Sequence, residues 1–139
     1  MKTLYETQAT AIGGRAGSAA SADGRLKVRL DLPRGLGGDD REGTNPEQLF
    51  AAGYAAAFLS AIKRTAAAEG LDIAPDSNVT ATVAVGVDGE GDHVLRVTLS
   101  ADLPGLAPGT AERVAAAAHV GCPYSAALRG NLDVRINVD

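Results

Sequence analysis

Residues 45–70 read NPEQLFAAGYAAAFLSAIKRTAAAEG and contain the longest helical pattern of the chain. Asn45 is a typical N-cap, Pro46 suits the first helical position, and Gln48 stands three residues after the cap. The pattern predicts a helix over residues 46–69, with a glycine immediately after it. Because its middle is apolar nearly all round, we expect the helix to be buried on every side. In so small a protein, such burial needs more cover than one sheet supplies.

Segments of alternating hydrophobicity on both sides of this helix predict strands. Leu26, Val28, Leu30 and Leu32 share one face of a half-buried strand. Strand segments are residues 3–12, 25–32, 78–89, 92–103 and 131–138, and the three strands before the long helix are expected to form a meander. Further helices are predicted over 108–121 and within 122–130. The order β-β-β-α-β-β-α-β indicates an α+β fold with antiparallel sheet. The length of 139 residues indicates one domain, residues 1–139.

Composition excludes several classes of function. The net charge is −4, and acidic and basic residues are mixed without long runs of one sign, so we expect no nucleic-acid partner. The opening MKTLYETQAT has no apolar core of a signal peptide, and no stretch approaches the ~18 apolar residues that a membrane span needs. A single cysteine favours a reducing compartment. We therefore expect a soluble cytoplasmic protein without a membrane partner.

The single cysteine, Cys122, lies in the stretch HVGCPYSAALRGN. A lone cysteine is commonly a small buried hydrophobe, whereas a reactive thiolate needs a positive neighbour or a second thiol. His119 stands three residues earlier and suits either a thiolate partner or a histidine at a helix end. With one cysteine and two histidines, the chain lacks the ligand spacing of a metal site, and nothing indicates a bound cofactor.

Three motifs occur in a meaningful order: GGRAG, GTNPEQLFAAGY and CPYSAALRGN. Together they resemble the organic hydroperoxide resistance (Ohr) branch of the Ohr/OsmC family, and the resemblance covers essentially the whole chain. It implies antiparallel sheets packed around long central helices in an intertwined homodimer. It also implies a thiol peroxidase that reduces organic hydroperoxides to alcohols, with dihydrolipoyl groups on proteins, or dihydrolipoamide, as the reductant.

The resemblance assigns a role to four positions. Cys122 matches the resolving cysteine, Arg15 the arginine that holds the reactive thiol as thiolate, and Glu47 the glutamate that positions this arginine. The peroxidatic cysteine is missing, and Ala57 stands in its place. Because a methyl group cannot attack an O–O bond, no sulfenic acid can form at position 57. The chain is therefore expected to be nearly inactive as a peroxidase.

Ala57 admits three explanations at this level. It is an engineered replacement, the mark of a natural paralogue that senses or binds hydroperoxides or fatty acyl ligands, or a sign that Cys122 has become the nucleophile. The OsmC-like branch, with the same chemistry and other substrates, is a further alternative. The NPEQLFAAGY segment favours Ohr.

Helix geometry supports the expectation of a homodimer. Glu47 and Ala57 are ten residues apart, or ~15 Å along one helix axis, and an antiparallel partner helix could bring a second Glu47 alongside position 57. Small residues would allow close approach of the two helices. We also expect an apolar pocket that suits alkyl or lipid hydroperoxides, with plain core packing as the alternative role of its residues. The pocket candidates are Phe50, Tyr54, Phe58 and Tyr124.

Overall fold

In the computed structural model, which describes residues 1–139, helix α1 (Pro46–Ala68) has the predicted caps. The Gln48 N–H donates to Asn45 Oδ1 at 2.9 Å, which confirms the N-cap. At the other end, the Leu71 N–H donates to Ala66 O at 2.9 Å, and the Gly70 N–H to Ala67 O at 3.1 Å. Gly70 has a φ of 71°, so the helix ends in a Schellman motif one residue earlier than predicted.

The chain divides into two units, Met1–Leu49 and Phe50–Asp139. The first contains the antiparallel sheet β1-β2-β3, in which consecutive strands pair. The three strands are β1 (Ala9–Ile12), β2 (Ser18–Ser21) and β3 (Lys27–Arg29). The predicted first strand began at residue 3, whereas β1 begins at Ala9 and Leu4 is 89% exposed. The expected meander is confirmed with shorter strands.

The second unit contains the sheet β4-β5-β6 and the helices α2 and α3. Its elements are β4 (Asn78–Val87), β5 (His93–Asp102), α2 (Pro108–Gly121), α3 (Pro123–Leu128) and β6 (Val134–Val138). β4 and β5 form the predicted antiparallel hairpin, but β6 pairs parallel to β5. This is a correction to the expected antiparallel sheet, because α2 and α3 form the crossover that a parallel pair needs. The α+β class is confirmed, and the single domain over residues 1–139 stays a prediction.

Burial of α1 differs from the expectation. One face is fully buried through Tyr54, Phe58 and Ile62, whereas Ala52 and Ala56 are exposed. The single chain therefore does not cover this helix on every side. The core of the second unit comes from α1, β5 and α2, with its largest apolar members being Tyr54, Phe58, Ile62, Leu99, Val97 and Val114. None of the three helices combines the length and hydropathy that crossing a membrane requires.

Candidate functional site

In the first unit, Arg15 and Glu47 form a two-pronged ion pair. Arg15 Nη1 donates to Glu47 Oε2 at 2.8 Å, and Nη2 donates to Oε1 at 2.7 Å. Glu47 lies in the first turn of α1, where a negative charge is favourable. The hydrogen bond from Arg15 lowers the pKa of Glu47, so this carboxylate stays ionised. The arrangement fixes the direction of a guanidinium whose side chain remains 43% exposed.

The turn that carries Arg15 depends on its glycines. Gly13 and Gly14 have φ angles of 78° and 60°, which non-glycine residues rarely adopt. Gly17 has an ordinary φ, but a Cβ there would lie 1.7 Å from Ile12 O. The tight return from β1 to β2 therefore places Arg15 in a one-turn 3-10 helix, Gly14–Ala16. This is the structural reason for the sequence GGRAG.

In the second unit, Cys122 lies at the junction of α2 and α3. Its side chain is fully buried as a free thiol, and Ala57 packs, partly buried, against the same core cluster. The Cys122 N–H donates to Ala118 O at 2.8 Å, and its carbonyl accepts from the Ala126 N–H at 2.9 Å. The cysteine backbone is thus held from both sides, and the thiol lies on the core side of the junction.

Three contacts join α1 to the segment around Cys122, and the two segments run in opposite directions. Gly53 and Tyr54 meet Tyr124 and Ser125, whereas Phe58, one turn further along α1, meets His119, so these contacts lie on both sides of Ala57 and of Cys122. A Cβ on Gly53 would lie 3.6 Å from the Tyr124 hydroxyl, the Tyr54 hydroxyl lies 2.7 Å from Ser125 Oγ, and the ring centroids of Phe58 and His119 are 6.5 Å apart. Ala57 and Cys122 therefore occupy matching positions on facing segments.

The predicted pocket residues have different surroundings within the chain. Tyr54 and Phe58 are fully buried, Phe50 packs partly buried against the core, and Tyr124 is 42% exposed. The Tyr54 ring lies 5.8 Å from that of Phe50 and 5.7 Å from that of Tyr124, centroid to centroid. Phe50, Tyr54 and Tyr124 form a tilted aromatic group with one exposed member, whereas the Phe58 ring lies against His119. The role of the four in holding a substrate stays a prediction.

His119 is in the last turn of α2, as the helix-end reading of the sequence has it. Burial, with a smaller contribution from the charge of Arg129, lowers the pKa of His119, so the ring is neutral at pH 7. A neutral imidazole lacks the positive charge that would stabilise a thiolate at Cys122. Arg129 Nη2 also donates to the carbonyls of His119 and Val120, at 3.2 and 3.3 Å. No group of three His, Cys, Asp or Glu side chains is arranged to hold a metal ion.

One buried polar residue was not singled out from the sequence. Ser125 is 1% exposed, and its only side-chain partner is the Tyr54 hydroxyl. A serine three residues after Cys122, at the start of a short helix, is the only signal in the sequence. That signal is weak because serine is common in the first turn of helices.

This chain is similar to known proteins over almost its whole length. The model of the OsmC-like protein family matches residues 37–137. The organic hydroperoxide resistance protein of Xanthomonas axonopodis pv. citri is 43% identical over 137 residues, covering 99% of this chain and 96% of the relative. OhrB of Bacillus subtilis is 40% identical over 136 residues, covering 97% and 98%. The crystal structure of an organic hydroperoxide resistance protein from Legionella pneumophila superposes with a TM-score of 0.92 at 46% identity, covering 99% of both chains.

The fold and the three sequence motifs thus define an α+β protein of the OsmC type. The chain belongs to the OsmC-like family, and the relatives named above are organic hydroperoxide resistance proteins that match it along nearly their whole length. The resemblance found in the three motifs is confirmed at the level of the family.

Proposed function

We propose that this protein acts in resistance to organic hydroperoxides and that its ancestral reaction is thiol-dependent reduction of an organic hydroperoxide to an alcohol. The observation that carries the proposal is the two-pronged bond from Arg15 to Glu47. A bidentate pair fixes a guanidinium in one orientation, which is the requirement for holding a thiolate. The full-length relatives named for organic hydroperoxide resistance support the same substrate class.

The proposal includes the loss of the nucleophile. Ala57 offers only a methyl group, while Cys122, the one thiol of the chain, is fully buried. Burial argues against the alternative in which Cys122 attacks the peroxide itself, because a reactive thiolate needs access and a positive environment. We therefore propose that the chain, with alanine at position 57, is inactive as a peroxidase.

The first test is a peroxidase assay of this chain beside Ala57→Cys, with an alkyl hydroperoxide and dihydrolipoamide. We expect turnover only in the cysteine variant, because the thiolate is the missing reactant. Ala57→Ser is the matched control: it adds an atom at the same place without a competent nucleophile. A folded Ala57→Cys variant without turnover would contradict the peroxidase proposal.

A second candidate function is non-catalytic binding or sensing of hydrophobic hydroperoxides or fatty acyl ligands, and Ala57 is the observation that favours it. It predicts saturable binding of an alkyl hydroperoxide or a fatty acid to the unmodified chain, measured by calorimetry. Binding by the unmodified chain, together with an inactive Ala57→Cys variant, would favour this function over the first.

For partners, we propose a homodimer, with a dihydrolipoyl-bearing protein as reductant and a cytoplasmic location. The exposed residues Ala52, Ala56 and Ser60 recur every four positions on α1, so they form a stripe of small side chains. Light scattering at micromolar concentration is expected to give the mass of two chains. Ala56→Arg is expected to give one chain, whereas Ala117→Arg, at an exposed alanine of α2, leaves the dimer intact. A monomeric parent protein would contradict the homodimer.

A further inference from the structure

The hydrogen bond between Tyr54 and Ser125 links two helices in the apolar core of the second unit. The two oxygens are 2.7 Å apart, and the residues are 0% and 1% exposed. Because a buried hydroxyl that loses its partner is left desolvated and unsatisfied, each residue constrains where the other can lie. The bond therefore sets the position of α3 along α1.

The location of this bond relates it to Cys122. Tyr54 precedes Ala57 by three residues on α1, and Ser125 follows Cys122 by three residues in α3. Three residues are about one helical turn, so on each segment the bonded residue and the position of interest lie on the same side. Because the two segments make contacts in antiparallel order, fixing position 54 against 125 also fixes 57 against 122.

No hydrogen bond of Cys122 itself fixes the direction of its side chain relative to α1. Its side chain makes no capping bond to α3, and its backbone bonds run to α2 and within α3 only. The Tyr54–Ser125 bond is the hydrogen bond that connects the first turn of α3 to α1. The orientation of the thiol relative to position 57 thus depends on this bond and on apolar packing.

We propose that Tyr54 and Ser125 are positioning residues that hold Cys122 opposite position 57 for disulfide formation. The inference rests on the proposed function. In a chain with cysteine at position 57, that thiolate attacks the terminal oxygen of an alkyl hydroperoxide and the O–O bond breaks. The sulfur becomes a sulfenic acid, and the alkoxide takes a proton from water and leaves as the alcohol. The sulfur of Cys122 then attacks the sulfenic sulfur, its S–O bond breaks, and an S–S bond forms. The hydroxyl leaves with the proton of the Cys122 thiol as water.

The test uses single turnover in the full-length Ala57→Cys protein with Tyr54→Phe, Ser125→Ala or both added. In Ser125→Ala, which changes none of the pocket candidates, we expect sulfenic acid to form at a rate within twofold of the parent variant, because positioning of Cys122 does not enter this step. Disulfide formation is expected to slow at least tenfold in each variant, with sulfinic acid accumulating under excess peroxide. The double variant is expected to be no slower than the singles, because both remove one bond.

Two controls separate positioning from general destabilisation. Ser77→Ala removes a buried serine hydroxyl that has no hydrogen-bond partner, and it is expected to leave both rates unchanged. Ser125→Thr keeps the hydroxyl and is expected to restore much of the disulfide rate. Equal slowing of both steps in Ser125→Ala, or an unchanged disulfide rate in Tyr54→Phe and Ser125→Ala, would overturn the proposal. Should Tyr54→Phe fail to fold, Ser125→Ala, which removes a single oxygen atom, decides the matter.

A peroxide-free measurement distinguishes failure of this inference from failure of the proposed function. Ala57→Cys is equilibrated with reduced and oxidised dithiothreitol, and the oxidised fraction gives the effective concentration of one thiol at the other. We expect Ser125→Ala to lower this effective concentration at least tenfold. If Ala57→Cys forms the disulfide in this equilibrium but has no peroxidase activity, the proposed function is contradicted and the positioning role is retained. If Ser125→Ala leaves the effective concentration unchanged, only the positioning role is contradicted.

Discussion

Among single residues, Glu47 has the clearest link between electrostatics and stability. Its pKa is lowered from 4.5, chiefly by the hydrogen bond from Arg15. A carboxylate with a lowered pKa in the folded state adds stability above its unfolded pKa, and this is lost as pH falls through the folded pKa. Because Arg15 keeps 43% exposure, solvent screens the pair, and the contribution is about 1 kcal/mol or less.

We therefore expect Glu47→Gln to be less stable than the parent protein at pH 7, and the difference to shrink as pH drops below about 4.5. Urea unfolding at a series of pH values measures this. Glu112→Gln removes an exposed carboxylate of α2 that forms no ion pair, and it serves as the matched control. A difference that stays constant from pH 7 to pH 3 would contradict the linkage.

The predictability of the site from sequence also differs by residue. Arg15 and Glu47 stood in recognisable motifs, and the structure pairs them directly. Ser125 had no distinguishing signal, because its importance comes from a partner 71 positions away. A contact of that separation depends on the packing of two helices, and local patterns do not encode it.

Among the elements, the turn between β1 and β2 is the most sensitive to a single methyl group. Gly17→Ala would place a Cβ 1.7 Å from the backbone oxygen of Ile12, so the turn must open. We expect a loss of about 1–3 kcal/mol and weakening of the Arg15–Glu47 pair, because the turn carries Arg15. Thermal unfolding measures the loss.

Gly35→Ala is the matched control for this change. Gly35 has an ordinary φ and no atom within 4 Å of an added Cβ, so we expect an effect within about 0.5 kcal/mol. If the two variants unfold at the same temperature, the close approach of position 17 to Ile12 O does not affect stability as expected.

For the molecule as a whole, stability depends on the core of the second unit. Leu99 on β5 is fully buried, and we expect Leu99→Ala to cost about 2–5 kcal/mol through lost burial and a cavity. Leu95, on the same strand, is 40% exposed, and its replacement by alanine is expected to cost less than about 1 kcal/mol. Chemical denaturation of both variants measures the difference, and equal losses would contradict this account of the core.

At this scale, the sequence predicted the elements better than their arrangement. The caps of α1 and the β4–β5 hairpin depend on residues near one another, and both formed as expected. The parallel pairing of β6 was missed, because alternation in Val134–Val138 reports a half-buried strand but not its direction. The exposed face of α1 was also missed, since composition cannot tell which face of an apolar helix the same chain covers.

Because β6 is the last element to be synthesised, the sheet β4-β5-β6 cannot be completed until the end of translation. The β4–β5 hairpin can close as soon as it leaves the ribosome, but β6 reaches β5 only after both helices have been made. Non-local pairing of this kind is slow, and until it occurs β5 presents an open edge above an unfinished core. Nascent chains in this interval are the form most prone to edge-to-edge aggregation and the most natural clients of chaperones. The protein is thus expected to be most vulnerable to aggregation while it is being made.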